Sequence, residues 1–261
     1  METLLEYGQG NGIKHMTRCF RFISALAMFL ALFGGMAFAQ SSAAEKYIFD
    51  EMLKLASEGQ PEAEYHVGMF YNNGIGITAD PKEAFQWFKK SAEAGDPLGA
   101  YKLGCYYHGQ FPGAVEPDEA LGLKYKLIAA EAGYDLAQSD VAKRYYVSND
   151  FAQAVRWWTA AARQGDAESM YHASSAYADG KGVPADRVVS FRYLYTLGNL
   201  PEYRSDQFVA DAMASLVKRM SPEELAAANS AAAFPVEPTP LTLKAREGLS
   251  QAKTYLAANM R

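Results

Sequence analysis

Four stretches of this chain repeat one plan at a spacing of 32 to 38 residues. Each begins at a glycine corner, Gly59, Gly95, Gly133 or Gly165, and each corner is followed twelve positions later by a tyrosine: Tyr71, Tyr107, Tyr145 and Tyr177. A unit of that length cannot bury its own apolar face, so neighbouring units must stack and share one continuous core. The period therefore predicts an all-α solenoid of stacked antiparallel helix pairs, with capping helices at its ends.

Each unit reads as two helices. In the first helix of a unit (helix A), small or apolar residues recur at helical spacing, as at Ala63, Val67, Gly68 and Tyr71 of the first unit. Gly68 and Gly104 sit where only a small side chain lets another helix come close. Helix A ends at a turn rich in Asn and Gly, Asn72 to Gly76 in the first unit and Asp179 to Gly182 in the fourth. The glycine pair there follows a helix and not a strand, which argues against a phosphate loop. Helix B starts at a capping acid: Asp80 before Pro81 with Glu83 behind it, Asp150 with Gln153, Asp186, and the stretch Glu116 to Glu119 in the second unit. Along helix B a small residue precedes an aromatic by three positions, as in Ala84 to Trp87, Gly122 to Tyr125 and Ala154 to Trp157. These spacings make Gly68, Tyr71, Trp87, Gly95, Gly104, Tyr107, Gly133, Tyr145, Trp157, Gly165 and Tyr177 the structural repeat set, with Trp87 expected in the core.

The pattern from Ala63 through Gly76, then Asp80, Ala84 and Trp87, then Ser91 to Gly95, resembles the Sel-one-like repeat (SLR) family, relatives of the tetratricopeptide repeats. The likeness runs over 60–95, 96–133, 134–165 and 166–199. It is strong in the first two units; the third lacks the glycine corner, with Ser148, Asn149 and Asp150 in its place, and the fourth loses its closing motif. The resemblance implies an adaptor that holds other proteins, and for exported bacterial members a role in envelope signalling or host contact.

Outside the repeats, 40–59 reads as an N-terminal capping helix, 200–234 as C-terminal capping helices, 235–242 as a proline-rich extended linker and 243–261 as a final helix. The first 39 residues have the layout of a secretory signal: Arg18 and Arg21, an apolar run from Phe22 to Phe33, and Ala37, Phe38 and Ala39 ahead of Gln40. Cleavage is expected after Ala39, with Met16 as an alternative start, giving a periplasmic or secreted protein without a membrane span in its mature form. Cys105 would then be the single cysteine, which excludes an internal disulfide.

A net charge of -5 argues against nucleic acid as a partner. No serine or cysteine lies in a nucleophile motif, His66 and His172 stand two units apart, and no cofactor or metal site is expected. The chain thus reads as a non-enzymatic scaffold that takes a protein or peptide in a concave groove. Glu64, His66, Lys102, Asp140 and His172 line that groove, since their positions alternate against the buried stripe. The competing expectation is a periplasmic hydrolase acting on cell-wall or β-lactam-like substrates.

Overall fold

The computed structural model describes residues 43–259, and every regular element among them is helical. The signal segment at 1–39 lies outside the described residues. The opening helix α1 covers 43–57. Four helix pairs follow: α2 (Pro61–Asn73) with α3 (Pro81–Glu93), α4 (Pro97–Tyr107) with α5 (Glu119–Glu131), α6 (Asp135–Val147) with α7 (Phe151–Arg163), and α8 (Ala167–Asp179) with α9 (Arg187–Asn199). Each helix packs on the next in the chain, so the pairs are stacked in series. One apolar cluster runs through all four pairs, from Tyr65 in α2 to Leu197 in α9. This is the shared core that the repeat period demands.

Local chemistry sets the helix boundaries. Asp80, Asp118, Asp150 and Asp186 each accept a backbone N–H in the first turn of the B helix that follows. In the second unit the cap is Asp118, with Pro117 ahead of it, which resolves the register of that stretch. The expected box at Asp80 is only half formed, because Glu83 offers its backbone N–H to Asp80 but no return bond; at Ser221 and Glu224 both bonds are present. The corner glycines Gly59, Gly95, Gly133 and Gly165 all have φ between 80° and 97°, the left-handed conformation a helix end needs.

The second glycine of the A-to-B turn has its own reason. A Cβ on Gly76 would collide with the backbone at Glu45, and one on Gly182 with the backbone at Phe151. In both places the turn lies flat on the first residues of the preceding helix, and only glycine allows that approach.

One expectation about packing is corrected, since Trp87 is only partly buried, with the Lys90 ammonium 3.9 Å above its ring. The gap over Gly68 is closed by the fully buried Phe88, whose ring would lie 2.7 Å from an added Cβ. The position four residues after the small residue is buried in three units, at Phe88, Trp158 and Leu194, and the aromatic three after it is also buried in the third and fourth, at Trp157 and Tyr193. Two of the repeat tyrosines stack on helix B of their own unit, Tyr107 on Tyr125 at 5.9 Å and Tyr177 on Tyr193 at 6.0 Å, while Tyr71 meets Phe49 of α1 edge-on.

Past the repeats come a 3-10 turn (Pro201–Tyr203), α10 (Gln207–Val217) and α11 (Pro222–Ser230). The expected linker at 235–242 is shorter than its prolines imply. Pro240 occupies the first turn of α12 (Pro240–Glu247), capped by Thr239, because proline is well suited to a helix start. The expected single helix at 243–261 is two, since Gly248 at φ 55° separates α12 from α13 (Leu249–Asn259).

Candidate functional site

The segment from 234 to 259 runs back over the repeats as a strap. Phe234 donates its backbone N–H to Thr196, Glu237 donates to the Arg163 carbonyl at 2.7 Å, and Val236 rests against Gly165. Thr239 donates its hydroxyl to the Gly133 carbonyl, and Thr242, wholly buried, donates its hydroxyl to the Gln164 side-chain oxygen at 2.7 Å and accepts the Asp135 backbone N–H. Arg246 then pairs with Asp135 at 2.6 Å and Lys244 with Glu62 at 2.7 Å. Finally α13 sets Ala252 and Leu256 into an apolar cluster with Met52, Ala63, Val67 and Phe70 of α1 and α2.

This path bears directly on the five residues that sequence reasoning placed in a groove. His66, Lys102, Asp140 and His172 occupy one repeat position on α2, α4, α6 and α8, but their surroundings differ. His66 is 3% exposed, with Tyr255 of α13 at 6.0 Å from its ring. Glu64 is 7% exposed and burial pushes its carboxyl pKa up. Neither side chain lies open to solvent in the first unit. Lys102 is half-buried, and desolvation lowers its pKa. Asp140 accepts from Lys126 at 2.6 Å and from the Tyr101 hydroxyl at 3.4 Å. His172 stacks on Trp158 at 4.6 Å and lies 3.6 Å from Glu168. The structure thus gives Asp140 two partners from outside the row, Lys126 and Tyr101, and leaves His172 at the far end.

Lys126, the partner of Asp140, was missed. Its register position in helix B is held by Phe88, Trp158 and Leu194 in the other units, so a lysine there was a legible anomaly. A charge in a core register needs a counter-ion, and Asp140 of the next unit supplies it. Glu62 was missed as well. Burial raises its carboxyl, but the His66 ring, the Lys244 ammonium and the Gln251 amide outweigh that and hold its pKa at about 2.

Cys105, beside Tyr101 and Lys126, is buried, and that burial raises its pKa, so at neutral pH it is a thiol. Among the described residues no cluster of three His, Cys, Asp or Glu is arranged to hold a metal. No helix among them is long and apolar enough to cross a membrane.

A family model described as Sel1 repeat matches residues 61–96, 97–134, 137–166 and 167–196, together just over half of the chain. No curated protein matches. Among solved structures, the Sel1 repeat protein from Oxalobacter formigenes superposes with a TM-score of 0.60 at 24% identity, covering 66% of this chain and 49% of that one. A protective antigen present in uropathogenic Escherichia coli strains and displaying an SLR fold matches at 18% identity with a TM-score of 0.35, covering 83% and 59%. The chain thus spans about half the length of the Oxalobacter protein. The first likeness shows the fold.

Proposed function

As this chain belongs to the Sel1 repeat family, whose members commonly mediate protein–protein interaction, we propose that it is a non-catalytic scaffold that binds a protein or peptide along the row Lys102, Asp140, His172. One observation carries this reading. The chain's own α13 is seated on the same repeat position one unit earlier, against His66 and Val67, so the A-helix face already accepts a short helix at one end. The remaining members offer a cation, an anion and an imidazole at unit spacing, a pattern that selects a partner by complementary charge. The leader-like first 39 residues support export, and with it a partner in the bacterial envelope or beyond it, in keeping with a role in envelope signalling or assembly.

Crosslinking in intact cells followed by mass spectrometry tests the scaffold reading. A protein recovered with wild type and lost with Lys102→Ala and His172→Ala, at unchanged thermal stability, is the expected outcome. Equal recovery by all three chains would sink the row as the binding surface. Export has a separate check, N-terminal sequencing of the mature protein, which should begin at Gln40.

A further inference from the structure

The A-to-B turns differ in what they bury. The turn at 74–80 packs Ile75 and Ile77 onto the core, that at 108–118 packs Phe111 and Val115, and that at 180–186 packs Val183. The third unit has only Ser148, Asn149 and Asp150 between α6 and α7, with Asn149 at φ 62°, and so has no apolar plug. The A helices differ as well. On the A helices, Phe70 and Tyr106 hold one register position, and Tyr106 is fully buried between Phe85, Phe88 and Phe111. At that position α8 carries Ala176.

With alanine at this position, a cavity of about 110 Å³ lies between the third and fourth units, lined by Tyr146, Phe151, Val155, Trp158, His172 and Ala176. An apolar cavity of ~150 Å³ is enough to admit benzene, so one aliphatic side chain fits here. Lys181 stands at its mouth. Its ammonium lies 4.3 Å from the Tyr146 ring centre and 4.1 Å from that of Phe151, and it donates to the Tyr146 hydroxyl at 2.9 Å. The nearby acids are engaged elsewhere, Glu168 with Lys143 at 2.7 Å and Asp179 with Arg219 at 2.6 Å. No ion pair among the described residues includes Lys181.

We propose that this cavity is a peptide-terminus pocket: it takes the apolar side chain of a C-terminal residue, with the α-carboxylate paired to Lys181. An aromatic-walled slot supplies the apolar contact, and a cation pinned at the rim without a counter-ion supplies the charge. A cationic ligand would instead be repelled by the Lys181 ammonium, which already occupies the faces of the Tyr146 and Phe151 rings. The assignment rests on the peptide-binding reading above and gives one end of the row its ligand chemistry.

Titration calorimetry with acetyl-Ala-Ala-Leu as free acid and as C-terminal amide tests it on the full chain. The free acid should bind more tightly than the amide by about fivefold or more. Lys181→Met should abolish that difference, and Ala176→Tyr, which fills the cavity as Tyr106 fills its counterpart, should abolish binding of both while the protein still melts cooperatively. Equal affinity for acid and amide, no binding of either at millimolar concentration, or wild-type binding by Ala176→Tyr would each overturn the proposal. Lys102→Ala separates the two levels: it should weaken capture of the whole partner and leave tripeptide binding unchanged, so failure of the pocket and failure of the row give different results.

Discussion

At the scale of single residues, adjacent side chains in one helix carry very different loads. Phe88 is wholly enclosed over Gly68, and its neighbour Trp87 keeps part of its ring in solvent under Lys90. Phe88→Ala should therefore cost about 3–5 kcal/mol by chemical denaturation, and Trp87→Ala only about 1–2 kcal/mol. The opposite ranking would contradict the packing. Lys126 and Asp140 pose a different problem, since an ion pair in a core register holds itself together only while both partners are present. Asp140→Ala leaves Lys126, itself 8% exposed, without its counter-ion and should cost about 3 kcal/mol. Adding Lys126→Met should restore most of that loss, because a flexible apolar chain fits where phenylalanine, tryptophan and leucine sit in the other units. A double variant no more stable than Asp140→Ala would show that the pair is not what couples these positions. It also follows that Asp140 is a poor choice for testing partner capture alone.

At the scale of elements, the strap is held by charge at the end where it meets α2. The Glu62 carboxyl has a pKa of about 2 in the folded chain against an ordinary 4.5. A depressed carboxylate contributes its stability fully above the unfolded value and loses it as pH falls through the folded one. Docking of α13 should thus be constant above about pH 4.5 and weaken progressively toward pH 2. Hydrogen exchange of α13 amides across that range is the measurement, and protection that does not change with acid would refute it. Glu62→Gln should loosen α13 at neutral pH and remove most of the acid dependence, since it keeps the shape and discards the charge that Lys244 needs. The B helices obey simpler rules: an aspartate accepts the first-turn N–H groups, and small residues set where the next helix can approach.

At the scale of the whole molecule, a stack in which each helix packs on its neighbours transmits disturbance over short distances. Truncation after Ser230 removes Ala252 and Leu256 from the α1 and α2 cluster and uncovers His66. Amide exchange should then accelerate most in α1 and α2, and to a smaller degree at the corners around Gly133 and Gly165 that the strap bridges. Uniform acceleration through every unit would mean that the strap is a core element of the entire solenoid. If the A-helix face is the binding surface, the same truncation should also raise partner capture, by exposing the one position of the row that the chain covers for itself.

The repeat period, the identity of the helices and the caps that start them were legible in the residues, because each depends on neighbours within a turn or two along the chain. Gly68 and Gly104 could be read as packing contacts from their spacing alone. Which side chain fills each contact could not: a helix of thirteen residues presents both Trp87 and Phe88 to plausible partners, and only the crossing geometry selects Phe88. The strap lay further out of reach. Thr242 meets the Asp135 N–H across 107 positions and Tyr255 meets Gln60 across 195, and such pairs leave no periodic trace in the chain. Their formation depends on where the stacked units place the Gly133 corner and the first turn of α2, so tertiary structure alone decided that Glu64 and His66 are enclosed, and that an alanine at 176 leaves a cavity beside Lys181.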